Sequence, residues 1–180
     1  MRSEHRTSIS IPIPNHVPPQ VVLAFVQTFT PTMRLNDHVA GFEEIPTDPS
    51  SLPDDAFFGP CNRTLRSFQI REVTQLAPGI NREATWPVAM QCIPNGINCR
   101  AKALMGTIVW ARWTVRQRHP EDSPTRVGEE EWELHDEVLV HAHSLMMPFT
   151  KSVIHRAHYN ISQRMVDEVV KGCFDGTMYQ

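Results

Sequence analysis

The chain has no run near the roughly 18 apolar residues that a membrane-spanning helix needs, so no membrane span is expected. Its N-terminus, Met1 to Ser8, is polar and lacks the apolar stretch of a secretory signal. The four cysteines, Cys61, Cys92, Cys99 and Cys173, form no C-x-x-C pair. In a chain without an export signal they read as reduced thiols, neither a disulfide framework nor a zinc site. Lys and Arg total 17 against 20 Asp and Glu, for a net charge of −3, and the basic residues are scattered. A nucleic-acid groove would gather them on one face to displace counterions, so no nucleic-acid partner is expected. There is no Gly-rich phosphate loop, no G-x-S-x-G elbow and no Cys–His signature. The expectation is a cytoplasmic globular protein that uses no cofactor.

What is present is enough for a core: 41% of the 180 residues are apolar. That length fits one domain, 1–180. Thr7 to Ile13 alternates, with Ile9, Ile11 and Ile13 on one side of a strand. Pro18 and Pro19 suit the opening of a helix. Val21, Val22, Phe25, Val26 and Phe29 follow at helical spacing until Pro31. A short helical turn is expected over Thr32 to Asp37 and a second strand over Val39 to Ile45. Pro46 to Pro60, with four prolines and three aspartates, reads as a surface loop and a candidate flap over a ligand. From there the pattern is β: Leu65–Leu76, Glu83–Ile93, Ile97–Ala103, Thr107–Arg116 and Trp132–Ser144. Pro94-Asn95-Gly96 supplies a turn, Gly106 a bend, and Gln117 to Glu130 a polar loop. Pro148 opens a helix running to Gly172, with Val153, Ile154, Ala157, Ile161, Met165, Val166 and Val169 on one stripe. This predicts an α+β fold: a curved antiparallel sheet of about seven strands around a long C-terminal helix, with two short helices after the first strand. No internal repeat interrupts it.

That order of elements resembles the START-like helix-grip (SRPBCC) superfamily, which includes polyketide cyclases and lipid-transfer domains. Leu35-Asn36, Ile93-Pro94-Asn95-Gly96-Ile97 and the final run resemble a family of short fungal proteins with this fold and no assigned general activity. The final run comprises Glu133-Leu134-His135-Asp136-Glu137-Val138, Leu145 to Lys151, and Ala157-His158. The resemblance implies a ligand pocket between sheet and helix. It transfers no catalytic residue, because such proteins keep the cavity and vary the chemistry.

Successive strand residues point to opposite faces, which assigns candidates. Trp132, Leu134, Val138, Val140 and Ala142 share the inward parity of the last strand. Glu133, His135, Glu137, His141 and His143 share the outward one. Phe68, Ile70, Trp86, Val88, Met90, Ile97, Cys99, Ala101, Ala103, Val109, Trp113 and Val115 face inward elsewhere. From these, the expected ligand-binding set is Phe68, Ile70, Trp86, Val88, Met90, Cys99, Ala101, Val109, Trp113, Trp132, Leu134, Val138 and Val140. The small residues Cys99, Ala101 and Ala103 leave volume, the tryptophans supply flat apolar walls, and a filled core is the alternative. Asp136 and Glu72 are the carboxylates parity places among apolar neighbours, where desolvation raises a pKa towards neutrality. Each is either a proton donor or a structural acid, Asp136 then pairing with Arg112 or Arg156. His155 and His158 lie one turn apart; one of them lines the pocket mouth or both are surface or helix-packing histidines, and His158 is the third catalytic candidate. His141 and His143 have only His135 and Glu137 as further metal ligands and read as solvated, so no metal site is expected.

Three functions fit this pattern. One is an enzyme that cyclises or isomerises an apolar natural product without a cofactor, including by a pericyclic, Diels–Alder-type reaction; folding a flexible substrate removes entropy from the barrier, and one polar group can polarise a carbonyl. Another is a carrier or sensor of a lipid, sterol or polyketide. The last is a protein-interaction module with a solid core. Converging carboxylates and histidines within a cavity separate the first from the others.

Overall fold

The computed structural model describes residues 2–52, 56–77, 80–103, 106–118 and 131–174. Among them, strands β1 (Arg2–Ile13), β2 (Val39–Ile45), β3 (Arg66–Ala77), β4 (Ile80–Ile93), β5 (Gly96–Lys102), β6 (Ile108–Gln117) and β7 (Trp132–His143) form one sheet. Its order is β1-β7-β6-β5-β4-β3-β2, and every neighbouring pair is antiparallel. Two short helices, α1 (Pro19–Val26) and α2 (Thr30–Arg34), follow the first strand, and α3 (Met147–Phe174) follows the last. This is the helix-grip arrangement, a curved sheet around a long C-terminal helix.

α3 rests on β1 and β7 and meets both short helices. Its buried residues Ile161, Met165, Val166 and Val169 join Ile9, Ile11 and Ile13 of β1, Leu134 of β7, and Val22 and Val26 of α1 in the main core. The stripe read from the sequence is therefore buried along the C-terminal half of α3. Towards the other end Val153 is exposed. No described helix is long and apolar enough to cross a membrane.

Several boundaries differ from the periodicity. β1 starts at Arg2 rather than Thr7, because the polar residues 2–6 pair in register with β7 although they carry no apolar alternation. The first helix stops at Val26; Phe29 adopts φ 64° and turns the chain, so Pro31 lies inside α2 instead of ending a helix. Gly96 opens β5, and the two-residue turn is Pro94-Asn95. Among the described residues, positive φ occurs at Phe29, Gly59 and Gly106, so Gly96 is not needed for a left-handed turn. It is needed for space: a Cβ there would meet the Trp113 carbonyl oxygen at 1.7 Å. α3 continues past Gly172 to Phe174. The loop expected from Gln117 lies outside the described residues beyond Arg118.

Phe57, Phe58 and Pro60 of the Pro-rich segment lie on the convex face, not as a flap over the concave one. Phe58, with Leu65, packs on Ala89, Trp110 and Leu139, whose parity is opposite to that of Val88 and Val140. Gln91 Nε2 donates to the carbonyls of Phe58 (3.0 Å) and Pro60 (3.2 Å). Asn98 Nδ2 donates to the Phe58 carbonyl at 2.7 Å. Arg112 donates to the Phe57 carbonyl and lies over its ring, 4.7 Å from the centroid. The described part of the segment is thus strapped to the convex face by the outward polar residues of β4, β5 and β6.

Two outcomes follow. Gly96→Ala should lower unfolding stability by about 1–3 kcal/mol or more in urea, since backbone must move to admit one methyl. Gln91→Leu should cost about 1–3 kcal/mol by stranding buried carbonyls. It should also speed proteolysis within 56–65 and leave ligand affinity on the opposite face unchanged.

Candidate functional site

Because α3 lies over β1 and β7, the concave face of β3 to β6 is only partly covered. A cavity of about 500 Å³ remains there, within the range of about 300–1,000 Å³ usual for small-molecule sites. Cys99, Ala101 and Ala111 form its floor, Trp86 and Trp113 its walls, and Met33 of α2 with Ile154 and Ala157 of α3 its roof. Met146, Phe149 and Val153 line it too while remaining 37%, 71% and 47% exposed. They make an apolar rim.

Of the candidates read from parity, Ile70, Glu72, Trp86, Val88, Met90, Cys99, Ala101, Val109, Trp113 and His158 line this cavity. Phe68, Trp132, Leu134, Val138 and Val140 do not. Phe68 is buried against Phe29 and, edge-on, against Phe42. Leu134 is sealed in the main core, with Trp132 packed on its margin. Val138 and Val140 are covered by Met147 and Ile154. They face inward as expected, but on strands where the helix leaves no space. Thr32, Asn36, His38 and Val39 line the cavity without having been foreseen; Asn36 and His38 lie in the turn between α2 and β2, which has no periodicity to reveal which way its side chains point.

Asp136 is also inward, and is wholly buried behind the cavity wall. Its partner is neither Arg112, which is on the convex face, nor Arg156. His158 Nδ1 meets Asp136 Oδ2 at 2.8 Å, and the Ser162 hydroxyl donates to the same oxygen at 3.5 Å. Trp113 Nε1 donates to Ser162 Oγ at 3.1 Å, and its ring stacks on His158 with centroids 5.2 Å apart and 12° between planes. Register and helical spacing build the group: Trp113 pairs directly with Asp136 across β6 and β7, and His158 and Ser162 stand one turn apart on α3. Burial pushes the Asp136 carboxyl above its ordinary range, opposed by the His158 ring and the Ser162 hydroxyl. Asp136 Oδ1 has no hydrogen-bond partner among the described residues. Cys99 is buried beside it, and desolvation with the nearby carboxyl pushes its thiol up to about 12, so it stays protonated. With Nδ1 held by Asp136, His158 Nε2 is the ring nitrogen left to the cavity. The pair can therefore donate or accept a proton in an apolar chamber.

Glu72 stands apart from this group, with its Oε2 accepting from Trp86 Nε1 at 3.2 Å. On the convex side, Glu133 is buried, not solvated as its parity suggested, because its cross-strand neighbour Arg116 reaches it at 2.7 Å and Arg118 at 3.7 Å. His135 bonds to Ser10 and His141 to Glu4. Among the described residues, no three His, Cys, Asp or Glu side chains are grouped to hold a metal.

The family match covers residues 2–171. The chain belongs to the family described as Domain of unknown function (DUF7053). Among curated proteins, none matches its sequence. Solved structures share the fold at low identity. TTHA0849 from Thermus thermophilus aligns with TM-score 0.58 and 10% identity over 94% of this chain and 99% of that one. The Zhui aromatase/cyclase from Streptomyces sp. R1128 aligns with TM-score 0.57 and 8% identity over 96% of each chain. The di-domain ARO/CYC BexL of the BE-7585A biosynthetic pathway aligns with TM-score 0.55 and 13% identity, over 91% of this chain and 50% of that one. DUF7053 thus has the helix-grip fold in this member.

The raised Asp136 pKa has a thermodynamic signature. Where the folded pKa exceeds the unfolded one, the native state binds more protons, so stability falls as pH rises from the unfolded carboxylate pKa through the folded one. Asp136→Asn removes this slope. Urea unfolding over a pH series should show the variant gaining on the parent protein as pH rises from about 4, then levelling. A constant difference at all pH values would mean that Asp136 is not desolvated.

Proposed function

We propose that this DUF7053 protein binds an apolar small molecule in the cavity and catalyses a cofactor-independent cyclisation or isomerisation. The observation that carries the reading is the buried Asp136–His158 pair at the wall of a mainly apolar chamber. A carrier needs only apolar lining. A desolvated acid with one unpartnered oxygen is expensive in a core, and such groups concentrate where protons are moved. His158 Nε2 acts as the donor or acceptor at the ligand, and Asp136 holds the ring tautomer and balances its charge. Trp113 fixes the ring plane, while Trp86 and the rim constrain the substrate's conformation. The resemblance to short fungal proteins and the structural likeness to aromatase/cyclases support a place in fungal natural-product biosynthesis. A pericyclic reaction, Diels–Alder in type, would use the same chamber for shape alone. The residues of the pair separate these chemistries.

Small molecules bound to the protein from cells that make it would be identified by native mass spectrometry and compared with extracts of a deletion strain. A bound cyclised or isomerised product, with its precursor accumulating on deletion, is the expected result. His158→Ala and Asp136→Asn should then lower turnover by about 10²-fold or more with ligand still bound. Near-parental turnover in both variants would assign the reaction to shape alone. A bound lipid with an unchanged metabolite profile would make the protein a carrier.

A further inference from the structure

Beside the apolar cavity lies a second, polar recess of about 360 Å³, lined by Leu35, Asn36, Asp37, His38, Arg156, Ala157 and Asn160. Asn36, His38 and Ala157 line both spaces, so the two adjoin. The cations along this seam are not equivalent. Arg164 is committed to Asp37 and to the Leu35 carbonyl, and Arg34 to Glu168 at 2.6 Å. Arg156 makes no hydrogen bond or ion pair among the described residues. Asn36 Oδ1 accepts from the His38 backbone N–H at 3.1 Å, which leaves the Asn36 amide nitrogen as a donor. The carboxylates of the two linings are both engaged, Asp37 by Arg164 and Glu72 by Trp86. From Met147 to Val166, α3 carries Lys151, Arg156 and Arg164 and no Asp or Glu. The recess therefore offers donors and one uncommitted positive charge, and its one carboxylate, Asp37, is engaged.

Resting on the reading that the cavity is a ligand site, we infer that the ligand is an amphiphilic acid: its hydrocarbon fills the cavity and its carboxylate lies in the recess against Arg156. A guanidinium gives a carboxylate a planar, two-pronged match, and Asn36 and Asn160 add neutral donors. Since Ala157 borders both spaces, the carbons nearest the head pass beside His158, where proton transfer next to a carboxylate is chemically useful.

The test uses dodecanoic acid and dodecanol, both below micellar concentration, titrated calorimetrically into the whole protein at pH 8, above the ordinary carboxylate range. The acid should bind at least about tenfold tighter, equivalent to about 1.4 kcal/mol. Arg156→Gln should erase that preference while leaving dodecanol unchanged, and Arg156→Lys should restore part of it. Equal binding of acid and alcohol would overturn the inference and leave the cavity reading intact. A preference that survives Arg156→Gln would overturn the assignment to this residue. No binding of either probe, nor competition by either with material carried from cells, would sink the inference together with the cavity reading.

Discussion

Every feature of the site depends on where α3 lies. A curved sheet and one helix cannot cover each other completely, because a helix is a cylinder about 10 Å across and this sheet has seven strands. α3 is held at one side, against β1 and β7, where branched and large residues of both partners meet. The opposite half of the concave face is covered by α1 against β5 and β6 and, over the cavity, by α2 and the N-terminal turns of α3. Its floor carries Cys99, Ala101 and Ala111, which are too small to fill the gap. The cavity is thus a consequence of two local choices, helix position and floor volume. Larger side chains at those floor positions would convert the same fold into a solid core.

The same placement creates a costly interaction. Asp136 sits at the boundary between the filled and unfilled halves, under the helix turn that carries His158 and Ser162. An apolar residue at that position would pack without leaving a carboxylate oxygen unpartnered, and replacing buried charges by apolar groups is often neutral or stabilising. Stability therefore does not account for an acid there. The chain surrounds it with a fixed set of contacts: a hydroxyl, an imidazole, and an indole that holds both. Four residues on three elements are linked through one carboxylate oxygen, and only the imidazole carries the link to the cavity with a free nitrogen.

Much of this was legible as alternation. The period-2 pattern placed Trp86, Val88 and Met90, then Cys99 and Ala101, then Val109 and Trp113 on the face they occupy, and the C-terminal stripe located the helix. Parity assigns a face, however, and says nothing of what lies over it. Val138 and Val140 point inward as surely as Val88, yet they meet Met147 and Ile154 instead of space. Arg112, next in sequence to Trp113, had to be on the convex face by the same rule, so it was never available to Asp136. His158 was visible only as one of two histidines on a helix whose rotation about its axis no strand pattern fixes. Glu133 shows the complementary failure: an outward acid became buried because two arginines from β6 and its extension fold over it. The Pro-rich segment carried Phe57 and Phe58, but no local signal told which face of the sheet they would cover.

Polarity is segregated across the molecule in a way that suits a ligand with unlike ends. On the convex face, buried polar groups such as Gln91 and Asn98 bind the chain to itself, which stiffens the sheet that forms the cavity floor. On the concave face, polar groups are sparser; they include the Asp136–His158 pair, Glu72 with Trp86, and the recess around Arg156. Ala157 lines both the cavity and that recess. The exposed Met146, Phe149 and Val153 border the apolar side of the opening. A molecule that is apolar throughout would leave the recess donors to water, and one that is polar throughout would forfeit the cavity. The arrangement is best satisfied by a ligand whose own polarity changes once along its length.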